Sequence, residues 1–304
     1  MRTRLAGAAL IALAGCVGPG RPAAFGPAPA APSPHGTGAK VAPAQPAPPL
    51  GGFSFSGPAT QGGLVSGQAP AGITALTLDG KPIPIAPDGR FLVGFGRDAG
   101  PRAVLAGRAA DGRTVTREIV VAPRSWDIQS LPTLARGTTP TPEFLARRKI
   151  ETAQISAARA VRSAVEGWRQ HFRWPVEGRI SGVYGSQRIY AGEPGAPHSG
   201  VDIARPTGTP VVSPADGVVV LAAAAPFTLE GNLLIVDHGL GLNSAFLHLS
   251  RIDVKVGDRV RQGQPVGAIG ATGRATGPHL HWAMMWQDQR IDPQPLAGPM
   301  PAAK

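Results

Sequence analysis

Three kinds of hydrophobic patterning follow one another along the chain. From about Gly51 to Pro123, the short runs ITALTL, FLVGF and TVTREIVV are punctuated by Asp79-Gly80, Asp88-Gly89 and Asp111-Gly112. Apolar side chains at alternate positions bury one face of a strand, and Asp-Gly accepts the backbone of a tight hairpin. Residues 51–123 are therefore expected to form a small β-sandwich of successive hairpins. The period then changes. Ile150, Ala153, Ala157, Val161, Val165 and Trp168 recur at three or four, which predicts one long helix over 139–173 with an apolar stripe packed on a domain. Thr141 is placed to cap it, Pro142 suits its first position, Glu143 complements its positive end and Trp174-Pro175 marks its exit. From Trp174 to residue 295, segments such as VVSPADGVVVLAAA, GNLLIVDHG and HLHWAMM read as strands joined by Gly and Pro turns. The fold class expected is mainly β: an N-terminal sandwich, a connecting α-helix and a C-terminal antiparallel domain with a groove. Residues 296–304 form a tail.

The N-terminus sets the compartment. Arg2 and Arg4 precede the apolar run Leu5–Leu13, too short to span a bilayer, which takes about 20 residues, but fitting a secretory signal over residues 1–15. The only cysteine, Cys16, closes LAGC, which resembles the bacterial lipoprotein box. That resemblance implies cleavage before Cys16, lipidation of its thiol and a membrane anchor; Val17 in place of Asp favours the outer membrane and the periplasmic side of the envelope. A single cysteine also excludes an intramolecular disulfide. Residues 16–50, rich in Pro, Ala and Gly, cannot bury enough apolar surface to order themselves and are expected to form a tether.

Charge narrows the partners. A formal charge of +11 at pH 7 remains strongly basic after loss of Arg2 and Arg4. It favours anionic polymers, which for an exported chain means cell wall and lipid headgroups. Nothing interleaves aromatic with basic residues, so no nucleic-acid partner is expected. The basic positions of the helix, Arg147, Arg148, Lys149, Arg159, Arg162 and Arg169, read either as a solvated surface or as one facing phosphate or glycan. Oligomeric state is not readable from these features.

The candidate chemistry lies in the last third. Gly200 lies between His198 and Asp202 in HSGVD and Pro197 precedes them, so the stretch should be extended, with both side chains on one side. His279 and His281 of HLH likewise share a strand face, and His248 lies in FLHLS. Two His and a carboxylate with an open position suit catalytic zinc, whereas structural zinc is closed by four ligands, often Cys. In a chain with seven His, neither HxxxD nor HxH is distinctive alone. His238, in a strand running into a Gly turn, reads as structural, and Asp216-Gly217 reads as a turn.

The surrounding pattern, HSGVDIARPTGTPVVSPADGVVV, GNLLIVDHG, FLHLS and GDRVRQGQPVGAIGATGRATGPHLHW, resembles the zinc endopeptidase domain of lysostaphin- and LytM-type family-23 metallopeptidases. The resemblance covers about Trp174 to Pro293. It implies one zinc per chain held by His198, Asp202 and His281, with His248 and His279 as catalytic residues. It also implies hydrolysis of cross-link peptide bonds in bacterial peptidoglycan. Phe246 stands where a Tyr is commoner and is expected to alter substrate contacts; Ala283 stands where an aromatic and Glu often follow HLH. The alternative is a non-catalytic relative that binds cell wall or activates an amidase, but such proteins lack one or more of the five side chains. A glycosidase would need two placed carboxylates, and only Asp202 is placed.

Overall fold

The computed structural model describes residues 49–134, 137 and 139–301. The signal segment 1–15, Cys16, the tether up to residue 48 and residues 302–304 of the tail lie outside them. Within the N-terminal region, hairpins build two small antiparallel sheets. One orders Ser54–Phe55, Leu64–Gln68 and Arg90–Gly94; the other orders Lys81–Ile83, Ile73–Leu78, Arg102–Ala109 and Thr114–Val120. The Asp79-Gly80 turn has φ of 49° and 77°, the double left-handed geometry of a two-residue hairpin. Val65, Leu76, Phe91 and Leu105 fill the core between these strands.

The C-terminal region is dominated by one antiparallel sheet. Its order is Arg259–Val260, Gly217–Ala222, Asn232–Asp237, Leu242–Leu249, His279–Trp286, Val201–Ala204 and Arg179–Gly182, with Gln289–Ile291 also paired to His279–Trp286. Strand alternation divides the sheet into two faces. Leu234, Val236, Phe246, Leu280, Trp282, Met284 and Trp286 point into the main core. Leu233, Ile235, Ala245 and Ala283 point the other way, into a second cluster. Phe246 is 0% exposed on the core side, so it cannot touch a substrate, and the expectation that it alters substrate contacts is corrected. The N-terminal strands share the main core: Gly94 lies against Ile291 and Trp286, and Arg124 pairs at 2.9 Å with the buried Asp292.

The helix is shorter than its pattern predicts. It spans Pro142–Ala160, with the Thr141 hydroxyl accepting from Phe144 N–H at 3.2 Å, and Val161 is already extended at φ −61°, ψ 137°. Beyond it, the linker finds partners outside a helix. Asp237 accepts hydrogen bonds from the Ser163 amide and hydroxyl, the Trp168 N–H donates to His238 O at 2.9 Å, and only a 3₁₀ turn forms at Gly167–Arg169. The buried stripe is also rotated from the expected one. Ile150 is 63% exposed and Val161 44%, whereas Ile155 and Ala158 pack on Leu221, Phe227, Leu233, Ile235, Ala245 and Ala283. The reason is polar: Glu151 is drawn inward by Thr228, whose N–H and hydroxyl both donate to it at 2.7 Å, and by Arg147 and Arg148. Arg148 in turn grips Glu230 with both terminal nitrogens, at 2.6 and 3.0 Å.

A second element escapes the hydrophobic pattern. Ile128–Leu131 pairs in parallel with Gln187–Tyr190, so the linker adds a strand to the hairpin that leads into HSGVD. No helix among the described residues is long and apolar enough to cross a membrane.

Candidate active site and metal centre

The five singled-out side chains converge on one face of the large sheet. Asp202 lies directly opposite His281 in antiparallel register, and Leu247, next to His248, lies opposite His281 on its other side. His279 and His281 project from the face opposite Leu280 and Trp282. His198 comes from the preceding loop, where its N–H donates to Ser186 O at 2.8 Å and its O accepts from Gly185 N–H at 2.9 Å.

Three donor atoms form a tight triangle. His198 Nε2 lies 3.1 Å from Asp202 Oδ1 and 3.1 Å from His281 Nδ1, and His281 Nδ1 lies 2.8 Å from Asp202 Oδ1. One ligand atom from each residue lies within 4.8 Å of the others. Ligands 2.0–2.1 Å from a tetrahedral ion would stand roughly 3.3 Å apart, so the triangle is close to one face of such a coordination shell. His198 Nδ1–H donates to Val183 O at 3.0 Å, which leaves Nε2 with its lone pair turned to the centre. The donor set therefore fits a divalent zinc-like cation.

Electrostatics agree with a carboxylate surrounded by donors. Burial alone would raise the Asp202 pKa, but His198 and His281, which can donate to it and bear charge when protonated, hold it far below the usual range. Burial pushes His198 down, yet the Asp202 bond and charge outweigh it and raise the imidazole; His281, more deeply buried, is lowered despite the same partner.

The other two histidines sit beside the triangle without joining it. His248 and His279 rings lie 4.8 Å apart, and His279 Nε2 is 3.8 Å from Asp202 Oδ1. His248 Nδ1–H donates to Thr272 O and His279 Nδ1–H to Gly277 O, each at 2.8 Å. Both rings are thus fixed in the tautomer that leaves Nε2 free. Burial pushes His248 down to about 4, helped by His279 and His281 and opposed by the Thr272 bond. Its backbone is left-handed at φ 63°, an uncommon conformation for a non-glycine residue, next to a bulge between its strand and Asn232–Asp237.

Glycines make the convergence possible. A Cβ on Gly200 would stand 2.3 Å from Trp282 O and 2.9 Å from His281 Nε2; one on Gly182 would stand 2.5 Å from Asp202 Oδ2. Among residues not foreseen in the sequence, Thr272 holds His248 through its carbonyl. Its hydroxyl accepts from Asn232 N–H and donates to Leu249 O, each at 2.9 Å. Asn232 itself braces Leu249 O and does not enter the centre. His238 lies elsewhere, fully buried between Asp216 O and the Ser244 hydroxyl.

A two-His, one-carboxylate centre on an antiparallel sheet, with two further imidazoles at its edge, defines a metal-dependent hydrolase of the metallopeptidase kind. Residues 196–293 match the model of peptidase family M23. A solved structure of a peptidase M23 protein from Pseudomonas aeruginosa is 32% identical, covers 79% of this chain and 95% of that one, and has a TM-score of 0.62. The chain belongs to peptidase family M23. Among curated relatives, the peptidoglycan DD-endopeptidase ShyA of Vibrio cholerae is 40% identical over 42% of this chain and 30% of its own length. The DD-carboxypeptidase/endopeptidase Mpg of Neisseria meningitidis is 38% identical over 34% of this chain and 24% of its own. The match thus spans less than a third of these relatives.

Proposed function

We propose that the chain is a zinc-dependent peptidoglycan endopeptidase that hydrolyses cross-link peptide bonds of the bacterial cell wall. The observation that carries this reading is the meeting of His198 Nε2, Asp202 Oδ1 and His281 Nδ1, with His248 and His279 beside them. The names of the DD-endopeptidase relatives support the substrate class. His198, Asp202 and His281 hold the zinc. When bound, the ion supplies a Lewis acid for the scissile carbonyl and makes water acidic enough to attack near neutral pH. His248 and His279 both turn Nε2 to the site: one of them accepts the water's proton there, and the imidazolium so formed can then donate a hydrogen bond to the oxyanion that develops on the carbonyl. A neutral His248 at working pH suits proton acceptance.

The chain is further proposed to be exported and lipidated on Cys16, with the tether up to residue 50 allowing it to reach into the wall from the outer membrane. Purified protein on isolated sacculi, with and without chelator, followed by fragment analysis, tests the activity. Release of cross-link fragments that chelator abolishes and zinc restores is expected. Intact sacculi in the presence of zinc would move the chain to the non-catalytic, wall-binding reading.

A further inference from the structure

On the histidine face one charged side chain has a buried atom without a hydrogen-bond partner among the described residues. The helix whose Ala158 joins the apolar cluster of Leu221, Leu233, Ala245 and Ala283 also carries Arg159, whose Nε is buried and makes no hydrogen bond among the described residues. A buried guanidinium N–H without an acceptor is costly, and charge makes it more so. Its surroundings do not relieve it. Glu230, the acid whose charge reaches it, is already held by both terminal nitrogens of Arg148, and Arg290 adds a second positive charge. Arg290 lies opposite Met285 in register, and Met285 shares its strand face with His279, His281 and Ala283. No side-chain partner of Arg290 is found among the described residues. Burial, with Arg290 second, pulls the Arg159 guanidinium down to about 10, in keeping with a half-buried cation whose inner Nε lacks an acceptor.

Arg290 lies beyond the metal centre along this strand, and Arg159, on the helix, is near enough to feel its charge. Ala283 is two residues from His281 and Met285 four, so the space they flank is roughly 10 Å from His281, the length of about three residues of extended peptide. An extended substrate whose scissile bond lies at the histidines would bring its own groups over this point. Arg is suited to a carboxylate, which its fork can bind with two parallel hydrogen bonds.

We propose that Arg159, with Arg290 beside it, binds a free carboxylate of the substrate peptide about three residue lengths from the scissile bond, and so helps select the peptide that is cut. The inference rests on the endopeptidase reading for the identity of the ligand, but its test does not depend on turnover.

The test uses the full chain carrying His248→Ala, titrated calorimetrically with a cross-linked stem-peptide dimer and with the same dimer whose carboxyls are amidated. The parent should prefer the carboxylate form by about tenfold or more, the range of a charged hydrogen bond. Adding Arg159→Ala should remove most of that preference by weakening only the carboxylate form, and Arg159→Lys should restore part of it. The melting temperature of Arg159→Ala should stay close to that of the parent, because no side-chain hydrogen bond of Arg159 among the described residues is lost. Should that variant fold poorly, Arg290→Ala, at an exposed position, should still reduce the preference several-fold. Equal preference in parent and variants, equal weakening of both ligands, or no binding of either would overturn the proposal. Failure to digest sacculi with normal carboxylate preference would overturn the endopeptidase reading alone.

Discussion

Residues at this site are specified by what their neighbours leave unsaid as much as by their own chemistry. Gly200 is the clearest case, since any Cβ there would press on the Trp282 carbonyl, which belongs to the strand carrying His281. Gly200→Ala must therefore shift the Val201–Trp282 pairing and separate His198 from His281. Metal analysis should show zinc falling well below one ion per chain while far-ultraviolet circular dichroism stays close to the parent; full zinc occupancy would contradict this close-contact account. His248 makes the opposite prediction. Its Nδ1 is committed to Thr272 O and it stands outside the ligand triangle, so His248→Ala should keep its zinc and lose about 10²- to 10⁴-fold in hydrolysis. Loss of metal together with activity would reassign it as a ligand. The candidate site was legible at this scale because its residues sit at short, strand-compatible spacings: HxH and HxxxD each place two groups on one side before any tertiary contact is considered. The supports were not legible. Thr272 and Gly277 act through backbone carbonyls, and a carbonyl leaves no mark on residue type.

Among elements, the linker departs most from its sequence pattern, and the reason is that polar contacts override a modest apolar stripe. Glu151 is 5% exposed, and burial would raise its pKa, but two hydrogen bonds from Thr228 and those from Arg148 and Arg147 bring it down to about 2. Glu151→Ala removes one member of a buried ionic set and leaves Arg148 and Thr228 with fewer partners, a change that costs about 3 kcal/mol in comparable settings. Urea unfolding should show that loss, and a change under 1 kcal/mol would mean that the helix docks by its apolar contacts alone. A period count could not anticipate this face, because Glu at position 151 reads as solvent-facing until Thr228 and Glu230 are brought to it from 77 and 79 residues away. Ile128–Leu131 was missed for a related reason. Its four residues are mostly exposed and carry no alternation, so its strand character comes entirely from backbone pairing with Gln187–Tyr190. The hairpins of the N-terminal region were legible because Asp-Gly turns are local. The rotation of the helix and the added strand depend on contacts distant in sequence.

At the scale of the whole molecule, His238 ties the linker to the sheet that carries the site. Its carbonyl accepts from Trp168 in the linker, its Nδ1–H donates to Asp216 O at 2.8 Å, and its Nε2 accepts from the Ser244 hydroxyl at 2.9 Å. Ser244 accepts in turn from Trp282 Nε1, one residue from His281. Every group in this chain of bonds is satisfied with a neutral imidazole: a proton on Nε2 would make the Ser244 hydroxyl accept twice and leave its own O–H without the Nε2 lone pair. Burial accordingly pushes His238 down to about 4, with the Asp216 bond opposing it. The unfolded chain, near its ordinary value of about 6.5, takes up that proton first. The stabilisation from a neutral His238 is therefore complete above about pH 6.5, declines as pH falls and is gone below about 4, a span worth about 3 kcal/mol. Glu151, with its lowered carboxyl, has a different window: its contribution persists above about 4.5 and is lost as pH falls towards 2. Thermal unfolding between pH 7 and 4 thus isolates the histidine from that carboxylate. His238→Asn keeps a donor for Asp216 O but does not titrate, so its melting temperature should fall less steeply over this interval than that of the parent. Both proteins retain the same site histidines, whose own titration cancels in the comparison, and identical slopes would show that His238 is not the group through which acid loosens the fold.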